Sequence, residues 1–139
     1  MLKDAVARNA IRLCEIVLMP NMDDEVRNLT TENATFECSS PMYHNIKSIR
    51  EAYQFSKIFS NSLPDIKTSV EKVFTRDSDV CIFMRYVSHF RNGQNYFELQ
   101  PNNNEIRDYS FFLLTMEGDR VSRMIVSWDQ LNFENQMRM

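Results

Sequence analysis

An aspartate beside a tryptophan stands near the end of the chain, where an apolar strand pattern gives way to a short helical one. The run that begins at Val121 ends at Trp128, and Asp129 follows it directly, before the amphipathic segment 130–137. An aspartate at such a junction can cap the helix, which stabilises it by about 1 kcal/mol. It can also face a cavity, where burial disfavours the charged form and lets the carboxyl take and return protons. Both interpretations of Asp129 are open.

The two histidines are the other candidate proton carriers. His89 lies near the end of the strand pattern 79–90, and strict alternation places it on the same face as Arg85. It either faces a cavity or is a half-exposed histidine at a strand end. His44 follows Tyr43 in a loop, and it either overhangs the mouth of a cavity or is simply exposed. We take both as candidate catalytic residues.

The composition argues against several classes of function. The net charge of −3 disfavours nucleic acid and anionic membranes as partners, because both require a basic face. The chain has only two glycines, Gly93 and Gly118, so a loop that cradles phosphate is excluded. The three cysteines and two histidines share no metal-ligand spacing, and we expect no metal and no cofactor. The charged N-terminal segment argues against a signal peptide or spanning helix and predicts a cytoplasmic protein.

Hydrophobic periodicity predicts helices in the first half of the chain and strands in the second. A helix that ends at Pro20, a short helix over 21–29 and a strand over 34–38 come first. Ser48 and Glu51 match the capping box, which begins a further helix. Strands are then predicted over residues 66–74, 79–90, 95–99, 105–116 and 120–128.

This order predicts one α+β domain over residues 1–139. A curved, mostly antiparallel sheet would wrap around the N-terminal helices and form a cone with an internal cavity. The sixteen aromatic residues and nine methionines either line this cavity or fill it as core. The predicted ligand-binding residues are Phe36, Tyr53, Phe59, Arg85, Glu98 and Trp128. Arg85 has the alternative of an ion pair with Glu98 or Asp129, which would weaken the acid/base interpretation of Asp129.

Several segments, taken in order, resemble the SnoaL-like polyketide cyclases of the nuclear-transport-factor-2-like superfamily. They are ATFECSSP, IREAYQFSKIFSNSLPDI, LQPNNNEI, LTMEGDRVSRMIVSWDQL and NFENQM. In that family an Ile-Arg-Glu helix runs to a Pro-Asp pair, here Pro64-Asp65. The chain departs from the family where Arg123 and Ile125 stand in place of the usual Glu and Trp. It also has Pro101-Asn-Asn-Asn104 where the family has a loop ending in glycine, whose left-handed conformation asparagine tolerates.

The resemblance implies both a fold and an activity. Asp129 matches the aspartate that acts as general acid/base in the family's cyclases. The implied function is a cofactor-independent cyclase or isomerase, with dehydration as a further option. Its substrate would be a small hydrophobic polycyclic metabolite of secondary metabolism, polyketide- or terpenoid-like. A homodimer through the exposed sheet is also implied. The alternative is a non-catalytic module that binds a ligand or a protein, which a filled cone would favour.

Overall fold

The computed structural model describes residues 4–91 and 99–138. The helices are α1 Asp4–Ile16, α2 Asp23–Leu29, α3 Ile49–Ser62 and α4 Gln130–Arg138, with a 3-10 turn at Pro41–Tyr43. The strands are β1 Thr30–Cys38, β2 Lys67–Arg76, β3 Asp79–His89, β4 Glu105–Glu117 and β5 Arg120–Trp128. Residues 95–98 of the predicted strand over 95–99, including Glu98, lie outside the described residues.

The five strands form one open, mixed sheet in the order β1-β5-β4-β3-β2. The β1–β5 pair is parallel, and the other three pairs are antiparallel. The helices supply core residues that pack on one face of this sheet, which is the inner face. The predicted α+β fold class with a mostly antiparallel sheet is confirmed.

Local signals in the sequence explain several element boundaries. The Ser48 hydroxyl accepts a hydrogen bond from the Glu51 backbone N–H at 3.1 Å, so Ser48 is the N-cap that begins α3, which is the serine half of the predicted capping box. Gly118 turns the chain between β4 and β5 with a φ of +65°. Asn103 has a φ of +60° in the loop before β4, so an asparagine takes the left-handed conformation one residue before the position that matches the family's glycine.

Strict alternation along β3 and β4 separates an inner from an outer face. Met84, Tyr86 and Phe112 are buried on the inner face, whereas Tyr109 and Phe111 are exposed on the outer face. The β3–β4 register pairs Tyr86 with Asp108, so both residues lie on the inner face at the same level. Because successive side chains point to opposite sides of a sheet, the same two strands line a cavity and present an outer surface.

Candidate active site

The space between the helices and the inner face of the sheet contains an apolar cavity. Its lining comes from α3 and from every strand except β2, together with two residues after α1, one from the 3-10 turn, two after α3 and one from α4. About 70 Å³ of it is available to the centres of water-sized molecules. With the water radius of about 1.4 Å added all round, this leaves room for a small ring compound. The cone is therefore partly hollow.

Four of the predicted ligand-binding residues line this cavity. They are Phe36, Tyr53, Phe59 and Trp128. The Phe59 ring meets the Trp128 ring edge to face, with centroids 5.3 Å apart. The Trp128 indole N–H donates to the Tyr86 hydroxyl at 2.7 Å, which fixes the indole at one end of the cavity. All four residues lie in the cavity wall, as the sequence analysis predicts. Their contact with a ligand remains a prediction.

Asp129 acts as the N-cap of α4. One of its carboxylate oxygens accepts the backbone N–H of Asn132 at 3.0 Å, which satisfies a helix donor that has no partner within the helix. The residue is exposed and is not among those that line the cavity. Of the two interpretations left open for Asp129, its position matches the cap. A catalytic role for Asp129 remains a prediction without support from its position.

His89 lies on the outer face, in line with the predicted alternation, and its side chain is about one third exposed. Its Nδ1 is 2.8 Å from Oδ2 of Asp65, in the loop after α3. Asp65 also accepts hydrogen bonds from the Ser88 hydroxyl at 2.6 Å and the His89 backbone N–H at 2.9 Å, and it lies 3.2 Å from Arg91. Of the two alternatives for His89, its position matches the half-exposed histidine at a strand end, where its backbone N–H and ring hold Asp65 against the end of β3.

We expect Asp65→Asn to lower the free energy of unfolding by about 2 kcal/mol at pH 7. Hydrogen bonds from Ser88 and His89, and the charge of Arg91, hold the pKa of Asp65 well below its ordinary value. A carboxyl whose pKa is lower in the folded than in the unfolded state stabilises the protein at pH values above its unfolded pKa of about 3.9. This stabilisation is lost as the pH falls below that value and through the folded pKa. Urea denaturation at pH 7 and at pH 3 measures it: the gap between wild type and variant should shrink at pH 3. An equal gap at both pH values would contradict the prediction.

The remaining predicted site residues do not meet at the cavity. His44 is exposed after the 3-10 turn and is absent from the lining, which agrees with the alternative that it is simply exposed. Arg85 is exposed on the outer face, 3.6 Å from Glu71, with its guanidinium 5.1 Å from the centre of the Phe83 ring. The expectation that Arg85 contacts a ligand inside the cone is corrected, because alternation turns it outward. Glu98 lies outside the described residues.

Asp108 is a buried carboxyl that the sequence analysis did not select. It is 5% exposed on the inner face of β4, next to Ser110 and Tyr86, which line the cavity, although Asp108 itself is not among the lining residues. One oxygen accepts the backbone N–H of Tyr109 at 2.8 Å. The other, Oδ2, is buried and meets no partner at ordinary hydrogen-bond geometry among the described residues, although the Asn132 side chain is near enough to favour the charged form of the carboxyl. A buried polar atom without a partner is costly and rare, so this oxygen marks a candidate functional group.

Burial raises the pKa of Asp108 above its ordinary value. The Tyr109 N–H and the Asn132 side chain oppose the rise, and the nearby charge of Asp129 adds to it. A carboxyl that holds its proton more tightly is a stronger general base, and the rise also brings it nearer to use as a general acid. One signal in the sequence pointed here: in the strand EIRDYSFFLLTM, alternation puts Asp108 on the same face as Ile106 and Phe112.

Comparison with known proteins places the fold. No family model and no curated protein sequence matches the chain. A solved structure provisionally named a SnoaL-like polyketide cyclase, from Jannaschia sp. CCS1, has a TM-score of 0.79 at 17% identity, covering 96% of this chain and 91% of that one. One provisionally named a polyketide cyclase, from Acidithiobacillus ferrooxidans, has a TM-score of 0.80 at 10% identity, with 99% and 97% covered.

A third structure, an epoxide hydrolase from M. tuberculosis described as LEH-like, has a TM-score of 0.66 at 7% identity, covering 96% of this chain and 90% of that one. The chain therefore has the fold of the SnoaL-like polyketide cyclase structures, and the predicted resemblance is confirmed at the level of fold. Because one fold carries many chemistries, these likenesses do not assign a reaction. Within the part of the chain that the structure describes, no helix is long and apolar enough to cross a membrane.

Proposed function

We propose that this protein is a cyclase or isomerase that works by general acid/base proton transfer on a small apolar metabolite, without a cofactor. The observation that carries the proposal is the buried Asp108 carboxyl on the inner face of the sheet, next to Tyr86 and Ser110 of the cavity wall, with Oδ2 lacking a partner at ordinary hydrogen-bond geometry. Asp108 takes the role that the resemblance assigns to Asp129. The SnoaL-like cyclase structures of the same fold support the reaction class.

The reaction needs only a proton donor and acceptor in a dry site. The Asp108 carboxylate removes a proton from an acidic carbon next to a carbonyl, and the carbon's electron pair becomes an enolate. In an isomerisation the protonated carboxyl returns the proton to a different carbon. In an aldol closure the enolate carbon first bonds to a second carbonyl carbon of the substrate, whose π electrons move onto its oxygen, and the carboxyl then protonates that alkoxide. Such catalysis contributes roughly 100- to 10,000-fold. The cavity volume favours a polyketide- or terpenoid-like compound of one or two rings over a large polycycle.

Exchange of deuterium into a simple ketone tests this proposal without knowledge of the natural substrate. Cyclohexanone is incubated with the protein in D₂O, and the loss of its α-proton signals is followed by NMR. Proton removal by Asp108 followed by return of a deuteron predicts exchange well above the rate in buffer alone. If the protein does not accelerate exchange, the acid/base proposal fails and a ligand-binding module becomes the better description.

The outer face of the sheet supports a homodimer, whichever function holds. Four aromatic residues form an outer aromatic cluster: Phe74, Phe83, Tyr109 and Phe111. The Phe83 and Phe111 rings stack 4.7 Å apart, and Phe74 and Phe111 are 67% and 51% exposed. An exposed aromatic cluster of this kind is typical of a protein interface, and a two-fold dimer brings one patch against its own copy. We infer that a second copy of the chain covers it.

We expect Phe111→Glu to convert a dimer into a monomer in sedimentation velocity. The substitution places a negative charge in each of the two facing patches and removes apolar area from both subunits. Ala5→Glu is the matched control, because Ala5 is exposed on α1, away from the outer sheet face, and should leave the dimer intact. A wild-type protein that remains monomeric, or a Phe111→Glu dimer, would show that the outer aromatic cluster has another role.

A further inference from the structure

The hydroxyls of Tyr43 and Ser56 form an isolated pair inside the cavity. Tyr43 ends the 3-10 turn and Ser56 lies in α3, and both residues line the cavity and are more than nine-tenths buried. Their oxygens are 2.7 Å apart, and either one can be the donor. Neither hydroxyl makes another hydrogen bond to the described residues.

The proton count of this pair leaves one donor unused. Each hydroxyl carries one hydrogen, and the bond between Tyr43 and Ser56 uses one of the two. Burial also raises the pKa of Tyr43 well above its ordinary value, so the phenol keeps its hydrogen. Tyr53, another tyrosine of the cavity wall, differs: its hydroxyl donates to the Met19 carbonyl at 2.9 Å and accepts the Met22 N–H at 2.8 Å. Tyr53 therefore has no hydrogen to spare.

We propose that the Tyr43–Ser56 pair binds an uncharged acceptor oxygen, a carbonyl, on an otherwise apolar ligand. The rings of Phe36, Phe55 and Phe59 surround Tyr43, with centroids 5.5, 5.0 and 6.3 Å from its own. A hydrogen bond in such a dry environment is stronger than in water. No arginine or lysine is among the described residues that line the cavity, so a carboxylate or phosphate would lack a counter-charge.

This assignment names a substrate class, carbonyl compounds, for the proposed function. It rests on the proposed function in one respect, the role of the pair during proton removal. If Asp108 removes a proton next to a carbonyl, the carbonyl oxygen gains negative charge. The spare hydrogen of the pair then bonds more strongly to the enolate than to the ketone, as donors in an oxyanion hole do. The binding of a neutral carbonyl by the pair does not depend on turnover.

A pair of matched probes tests the site by binding. Cyclohexanone and methylenecyclohexane have the same ring and differ in C=O against C=CH₂. The test variant combines Tyr43→Phe with Ser56→Ala, since removal of both partners of a buried hydrogen bond is nearly neutral for stability. We expect cyclohexanone affinity to fall about tenfold in this variant and methylenecyclohexane affinity to stay within about twofold. The control, Ser60→Ala, removes a buried α3 hydroxyl that is outside the cavity lining and already bonded to the Lys57 carbonyl, so it should leave the ratio of the two affinities unchanged.

The outcomes separate this proposal from the proposed function. Equal changes for both probes, no change for either, or no binding of either probe to the wild-type protein would overturn the carbonyl site. A normal carbonyl preference without deuterium exchange would remove the acid/base function and leave the site standing. Exchange at the wild-type rate in the Tyr43→Phe/Ser56→Ala variant would remove the role of the pair at the enolate oxygen and leave the acid/base function of Asp108 standing.

Discussion

Asp108→Asn should lower deuterium exchange into cyclohexanone by about 100-fold or more and should leave the protein at least as stable as wild type at neutral pH. The first effect follows because an amide cannot accept the proton from carbon. The second follows because burial raises the pKa of Asp108 in the folded state. A carboxyl whose pKa is higher in the folded state contributes its full stability at pH values below its unfolded pKa of about 3.9. This contribution is lost as the pH rises through the folded pKa, so the wild-type protein lacks it at neutral pH.

The combination of the two effects distinguishes a proton carrier from a structural carboxyl. If Asp108 mainly held the fold, its replacement would destabilise the protein at pH 7. A buried group kept for chemistry costs stability, which its removal recovers. Exchange is measured by NMR, and stability by urea denaturation at several pH values. The advantage of the variant should diminish as the pH falls toward the unfolded value, because both side chains are then uncharged.

Asp129→Asn is the matched control for this result. Asparagine caps a helix as well as aspartate does, so α4 should keep its first turn and the protein its stability. Exchange should stay within a few fold of wild type, with any change arising from the lost charge near Asp108. If Asp129→Asn abolishes exchange while Asp108→Asn does not, the acid/base role belongs to Asp129, as the resemblance implied.

Phe133→Ala should lower the free energy of unfolding by about 3–5 kcal/mol, which is the usual cost of removing a fully buried phenylalanine. Phe133 is 1% exposed and is the α4 residue in the cavity wall. Its ring meets Trp128 at a centroid distance of 5.3 Å and Phe59 at 5.6 Å, both edge to face. Truncation therefore removes contacts with both rings and leaves a void where α4 closes the cavity.

Leu131→Ala on the same helix is the control for Phe133→Ala. Leu131 is 68% exposed, so its truncation should change stability by no more than about 0.5 kcal/mol. Urea denaturation of both variants at one pH gives the comparison. A loss from Phe133→Ala below about 1 kcal/mol would mean that α4 is only loosely docked and that the cavity is open on that side.

Patterns within short stretches of the sequence determined much of this fold. Ser48 with Glu51 fixed the start of α3, and alternation in β3 and β4 placed Arg85 and His89 on one face, since both signals act within a few residues. The identity of Asp129 as a cap was one of two local options, because its partner, the Asn132 N–H, is only three residues away.

The tertiary structure alone decided which polar groups meet the cavity. Asp65 and His89 are 24 residues apart in sequence, yet their contact turns His89 away from a proton-transfer role. Tyr43 and Ser56 lie on different elements, and their shared hydrogen exists only once the 3-10 turn packs on α3. Alternation put Asp108 on the core side, but burial and the lack of a partner for Oδ2 depend on every chain segment around it. Desolvation is a property of the whole packed surroundings, and a one-dimensional pattern does not contain it.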